Sequence, residues 1–188
     1  MKVLVDTDAF CKLGLAGLLT DALAIFGVSF ADCGRLPALP HMLRRGSVPR
    51  RFGKERCEAL IEIAEGIPAL PGSASSGLER FLPVPDVDPG EAQLFAAAAD
   101  KKFLVLSGDK RALRAVCKVE GAADALAGLV IPLESALIAL HASIGADALR
   151  SRVAPLRSLD TTVRICFSER NADPLSASGL NAPQQPRC

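Results

Sequence analysis

Among its 188 residues the chain has no Trp and no Tyr, and its aromatic content is 8 Phe. Modules that hold single-stranded RNA by stacking bases on exposed rings need that missing surface, so any nucleic acid bound here must be held by charge and metal. Net charge of one sign is also absent: 22 Lys+Arg stand against 21 Asp+Glu, and with 23% charged and 49% apolar residues the composition is that of a packable soluble protein, which excludes wholesale disorder. Cysteine pairing patterns are missing too. Cys11, Cys33, Cys57, Cys117, Cys166 and Cys188 include no CxxC pair and no His at a zinc-ligand offset, which argues against a zinc site and for reduced thiols used as small core residues. No apolar run reaches the ~18 residues of a membrane span, and Lys2 precedes only three apolar residues before Asp6, so the start does not read as a secretory signal. The reading is a cytoplasmic protein that meets no membrane.

The length predicts one ordinary domain with an appended segment. Val3 to Val5 form a short apolar run ending at Asp6, followed by leucines at near-helical spacing; GVSF, from Gly27 to Phe30, reads as a second strand. A helix is expected over Lys54 to Glu65. From Ile67 to Gly90 there are five prolines, three glycines and three serines, the composition of a long loop. Asp88-Pro89-Gly90-Glu91 then supplies an N-cap acid, a proline at the first helical position and a glutamate at N3, the signature of a capping box. Strand FLVLS (Phe103 to Ser107), a turn at Gly108-Asp109, helix KRALRAVCK, strand GLVI and helix LESALIALHA complete the alternation. This predicts an α/β fold, a three-layer α/β/α sandwich with a central parallel sheet, over residues 1–145. Residues 146–188, with four prolines and six arginines, are expected as a partly disordered tail in which only TVRICF suggests an edge strand.

In an open parallel sheet, ligands sit beyond the carboxyl ends of the strands. Asp6 ends the first strand, Asp109 follows FLVLS, and Glu91 opens the helix before that strand, so neighbouring strands would bring three carboxylates together. Such a cluster is what one or two Mg²⁺ or Mn²⁺ ions require. Each acid also has a purely structural reading: Asp8 and Asp109 as N-caps, Glu91 as the capping-box residue. Asp6 is the least readily explained in that way, because an acid buried at the end of a central strand is costly without a partner.

MKVLVDTDAF, DPGEAQLFAAAADKKFLVLSGDKRALRAV and GLVIPLESAL together resemble the PIN domain, a metal-dependent nuclease fold, over roughly Met1 to Leu140. The resemblance implies that Asp6, Glu91 and Asp109 bind Mg²⁺ or Mn²⁺ and serve catalysis, with Ser107 as the hydroxyl of the S-x-D turn and Asp8 in support. Most of that family has a further glutamate in the helix after the second strand; the corresponding stretch here carries Arg44 and Arg45, and Glu62 on the next helix is the nearest substitute, with a solvated acidic face as its alternative.

Between Arg35 and Arg56 there are seven Lys+Arg and one acid, whereas Cys57 to Asp109 has nine acids and three Lys+Arg. Arg44, Arg45, Arg50 and Arg51, with Lys110 and Arg111 after Asp109, are candidates for contacts to a nucleic-acid backbone; a solvated or protein-binding basic face is the alternative. The leading expectation is an endoribonuclease, and the resemblance adds toxin–antitoxin membership. Candidate partners are RNA, an inhibitory antitoxin-like protein and a second copy of the chain in a homodimer. The alternatives are a catalytically degenerate PIN-like module that binds RNA or protein and, below it, a haloacid-dehalogenase-type phosphatase built on Asp6-Thr7-Asp8, with Asp6 as nucleophile.

Overall fold

Val3, Leu4 and Val5 are all buried, the condition of a strand covered on both faces. The computed structural model describes residues 2–71 and 77–168, and at its centre β1 (Val3–Val5), β2 (Cys33–Arg35), β3 (Leu104–Ser107) and β4 (Val130–Pro132) form one all-parallel sheet in the order β2-β1-β3-β4. Around it run α1 (Thr7–Leu15), α2 (Leu19–Ile25), α3 (Leu39–Arg44), α4 (Ser47–Phe52), α5 (Lys54–Gly66), α6 (Leu78–Phe81) and α7 (Pro89–Lys101). The chain continues through α8 (Lys110–Val116), α9 (Ala122–Leu126), α10 (Leu133–Ile144), α11 (Ala146–Val153) and α12 (Thr161–Cys166).

Side chains of a strand alternate between faces, and the sheet divides its core accordingly. Val3, Val5 and Leu106 join one apolar cluster with Phe10, Leu43, Leu60 and Leu140, whereas Leu4 and Val105 join the other with Phe81, Phe95 and Val116. Helices therefore cover both faces, and the α/β sandwich with a parallel central sheet expected from the sequence is the fold. Cys11, Cys33, Cys57 and Cys166 are buried free thiols.

Four expectations change. The second strand is not GVSF: Phe30–Asp32 is a 3₁₀ turn and β2 begins at Cys33, in register with Val3. Pairing with β1 selects this segment although Gly34 and Arg35 have little strand preference of their own. TVRICF is helical, not an edge strand, because Asp160 caps it through the Val163 N–H (2.9 Å) and Val163, Cys166 and Phe167 repeat at helical spacing into the core. Residue 145 is consequently no boundary: Leu149, Val153, Leu156 and Val163 are each at most 1% exposed within the main core. The rest of the expected tail, 169–188, lies outside the described residues. Part of the expected loop is also ordered, with α6 and a parallel bridge from Arg35 to Ala69. Among the described residues no helix is long and apolar enough to cross a membrane.

Candidate functional site

The strand order reverses direction between β1 and β3, the place where a parallel sheet opens a crevice at its carboxyl edge. Register pairs Val5 with Leu106, so Asp6 and Ser107 emerge side by side. A cleft of about 1210 Å³ opens there, and Asp6, Asp8, Glu91 and Asp109 all line it.

Asp6 is 5% exposed and occupies the N-cap position of α1, yet its side chain makes no capping hydrogen bond. The Ser107 hydroxyl donates to its Oδ2 at 3.5 Å. Burial, then the negative charges of Asp8 and Asp88, push its carboxyl up to about 7, while the nearby N–H groups of Gly108 and Thr7 offset part of that effect. Glu91 is also buried and likewise pushed up to about 7, by burial first and then by Asp88, Asp6 and Asp109, against the opposing hydrogen bond from the Asp88 backbone. It completes the expected capping box: Asp88 N–H donates to Glu91 Oε2 (2.9 Å) and Glu91 N–H to Asp88 Oδ1 (2.8 Å). The capping and functional readings of Glu91 are therefore compatible.

Asp109 caps α8, its Oδ1 accepting from the N–H groups of Arg111 (2.8 Å) and Ala112 (3.1 Å). Its own N–H donates to Ser107 Oγ at 3.2 Å, so one hydroxyl joins the acid after β1 to the acid after β3. Gly108 between them leaves room for Asp8: a Cβ there would lie 2.3 Å from Asp8 Oδ2, so any larger residue would displace that carboxylate.

Asp8 belongs to a different arrangement. It is bound by Lys12 one turn later (2.6 Å) and by Arg51 from α4 (2.9 Å), and Lys12 also holds Asp160, the cap of α12, at 2.5 Å. Lys12 is 4% exposed. Desolvation favours its neutral form, but Asp8 and Asp160 outweigh it and the ammonium is stabilised; Asp160, opposed by burial, is held below the usual carboxylate range chiefly by Lys12 and by the Val163 N–H. Sequence reasoning missed both residues. The Asp8–Lys12 spacing of i,i+4 was a legible signal, whereas Asp160 reaches the cleft only through tertiary packing.

The basic candidates separate. Arg51, Lys110 and Arg111 line the cleft. Lys110 pairs with Glu134 (2.7 Å) and Arg111 approaches Asp109 Oδ2 at 3.5 Å. Arg44 instead pairs with Glu65 on the surface, Arg50 donates to the Gly46 carbonyl (3.0 Å), and Arg45 is exposed; none of these three is among the cleft residues. Glu62 is exposed on α5, outside the cleft lining, because the buried stripe of that helix is Cys57, Leu60 and Ala64. It does not supply a fourth acid.

No family model, no curated protein and no solved structure matches the chain. Among the described residues no three His, Cys, Asp or Glu side chains are gathered closely enough to hold an ion on their own. Mg²⁺ is commonly held by one or two carboxylates, with waters and substrate phosphates filling the other positions. Asp6 and Glu91 fit that smaller role: both are buried, both are raised by that burial and by neighbouring carboxylates, and among the described residues neither has a cationic partner.

Proposed function

We propose that the protein is a metal-dependent endoribonuclease, with Asp6 and Glu91 holding Mg²⁺ or Mn²⁺ and Asp109 forming the third side of the acidic face. The observation that carries this reading is the pair of buried, cation-free carboxylates at the reversal point of the sheet. A divalent ion bound there supplies an acidified water and offsets charge developing on the scissile phosphate. The chain's own groups do the rest. Ser107 fixes Asp6 and the Asp109 turn together, and the capping box keeps Glu91 Oε2 on the Asp88 N–H. Lys110, Arg111 and Arg51 at the cleft supply charge for the RNA backbone.

A non-catalytic RNA- or protein-binding module is the second reading, favoured by one observation: Lys12 and Arg51 already neutralise Asp8 and Asp160, so few acids stay free. The same contacts weigh against the phosphatase alternative, since they sequester Asp8, its would-be acid. Incubating the full chain with labelled RNA in Mn²⁺ and in EDTA separates the readings. Cleavage that needs Mn²⁺ and is lost in Asp6→Asn and Glu91→Gln supports the nuclease; binding without cleavage assigns the module.

A further inference from the structure

The cleft holds more than acids. Leu36, Pro37 and Ala38, leaving β2, and Met42 on α3 line the same space as Asp6 and Glu91. Pro37 and Ala38 are exposed and Met42 is partly buried, so hydrocarbon faces solvent inside the cleft. This ledge begins beside the acids: Leu36 packs so closely on Gly90, the residue before Glu91, that a Cβ there would lie 2.7 Å from Leu36 Cδ1. Its backbone is fixed from below. The buried Arg35 guanidinium donates to the carbonyls of Leu36 (3.1 Å), Pro37 (3.3 Å) and Ala64 (2.5 Å).

Arg51 stands in the same cleft. Its guanidinium carbon lies 4.9 Å from the centroid of the Phe52 ring and its Nη1 2.9 Å from Asp8 Oδ1, while the side chain is 51% exposed. A guanidinium held by Phe52 and Asp8 and half exposed in the cleft offers a planar group on which a nucleobase can stack. In a chain without Trp or Tyr, it takes the place of the missing aromatic ring.

We propose that the ledge of Pro37, Ala38 and Met42, with the Arg51 guanidinium, is a nucleobase subsite that takes the unpaired base adjoining the phosphate at Asp6 and Glu91 and favours a purine. The ligand class rests on the nuclease reading of the cleft. The preference follows from stacking strength, which grows with ring area and needs no base-specific hydrogen bond. A phosphate-only pocket would have no use for fixed hydrocarbon beside its acids, and a fully hydrated metal would avoid it.

The test is titration of the full chain with adenosine 5′-monophosphate, cytidine 5′-monophosphate and ribose 5-phosphate, in Mn²⁺ buffer and again in EDTA. One stacked base is worth about 1.4 kcal/mol, so adenosine monophosphate should bind about 10-fold more tightly than ribose 5-phosphate, with the cytidine nucleotide between them. Arg51→Lys keeps a cation near Asp8 but loses the plane, and Met42→Ser removes the apolar edge; each should cut the adenosine-to-ribose ratio at least about threefold. Equal affinity for the adenosine and ribose phosphates, no detectable adenosine monophosphate binding, or a ratio unchanged in both variants overturns the subsite. A base-dependent increment in a chain that leaves RNA intact in Mn²⁺ sinks the nuclease reading alone. Cleavage without that increment sinks the subsite alone.

Discussion

The two acidic halves of the cleft are both largely withdrawn from solvent and behave in opposite ways. Around Lys12, the carboxylates of Asp8 and Asp160 are 16% and 15% exposed, and both lie within 2.6 Å of an ammonium. In the other half, Asp6 and Glu91 line the same cleft with no cationic partner among the described residues, and their carboxyls are pushed up to about 7. Burial alone therefore does not mark a functional acid, because a fold that can spend a lysine on Asp8 has the means to neutralise Asp6 and has not done so. The uncompensated half is where an external cation gains most.

The sharpest way to break the contrast is to remove the lysine. Lys12→Met leaves Asp160 without its cation and Asp8 with Arg51 alone, and should cost about 3 kcal/mol of unfolding free energy in urea titrations. A loss below about 1 kcal/mol would mean that the Lys12 network contributes little and that the two halves are alike.

The opposite sign is expected across the cleft. Asp6 is raised from 3.8 to about 7 in the fold, so its contribution to stability is fully present below the unfolded value and lost as pH rises through 7. In metal-free buffer at pH 8, Asp6→Asn should therefore gain about 2 kcal/mol, a shift of this size setting an upper bound near ~4 kcal/mol, and the gain should vanish toward pH 4. Thermal melts across that range read it directly; a variant less stable than the parent at pH 8 would show Asp6 to be satisfied within the fold.

Asp160 sharpens the comparison from the acid side. Its carboxyl is lowered in the fold, so its contribution exists above the unfolded pKa and disappears as pH falls through the folded one. Asp160→Asn should remove part of the acid-induced loss of stability without touching the decline toward pH 8. The smallest effect belongs to the surface. Arg44 and Glu65 are 48% and 52% exposed, so Arg44→Ala should change stability by no more than about 0.5 kcal/mol. It should also alter the salt dependence of RNA binding less than Lys110→Ala does, since Arg44 lies outside the cleft lining and Lys110 within it.

Legibility followed locality. The capping box at Asp88 and Glu91, the S-x-D turn at Ser107 and Asp109, and the apolar strand ending at Asp6 are written within a few residues each, and all of them appear in the fold. β2 was misplaced because Cys33-Gly34-Arg35 is a strand by virtue of its pairing with β1 rather than its own preference. TVRICF has the β-branched composition of a strand, but the cap at Asp160 and the spacing of Val163, Cys166 and Phe167 carry the stronger signal. Glu62 shared a charge sign with the site and nothing else, because helix phase turned it to solvent. Lys12 was half legible through Asp8, and Asp160 was not, since no local pattern tells that the segment after residue 145 folds back onto α1.

The central claim is that Asp6 and Glu91 form an uncompensated pair that takes a divalent cation. Calorimetric titration of the full chain with Mn²⁺ from pH 5.5 to 8.5, beside Asp6→Asn, tests it most directly. Both carboxyls must ionise to bind, so affinity should climb as pH passes about 7, with proton release, and should be lost in Asp6→Asn. Absence of Mn²⁺ binding at millimolar concentration, or binding undiminished in Asp6→Asn, would contradict the account.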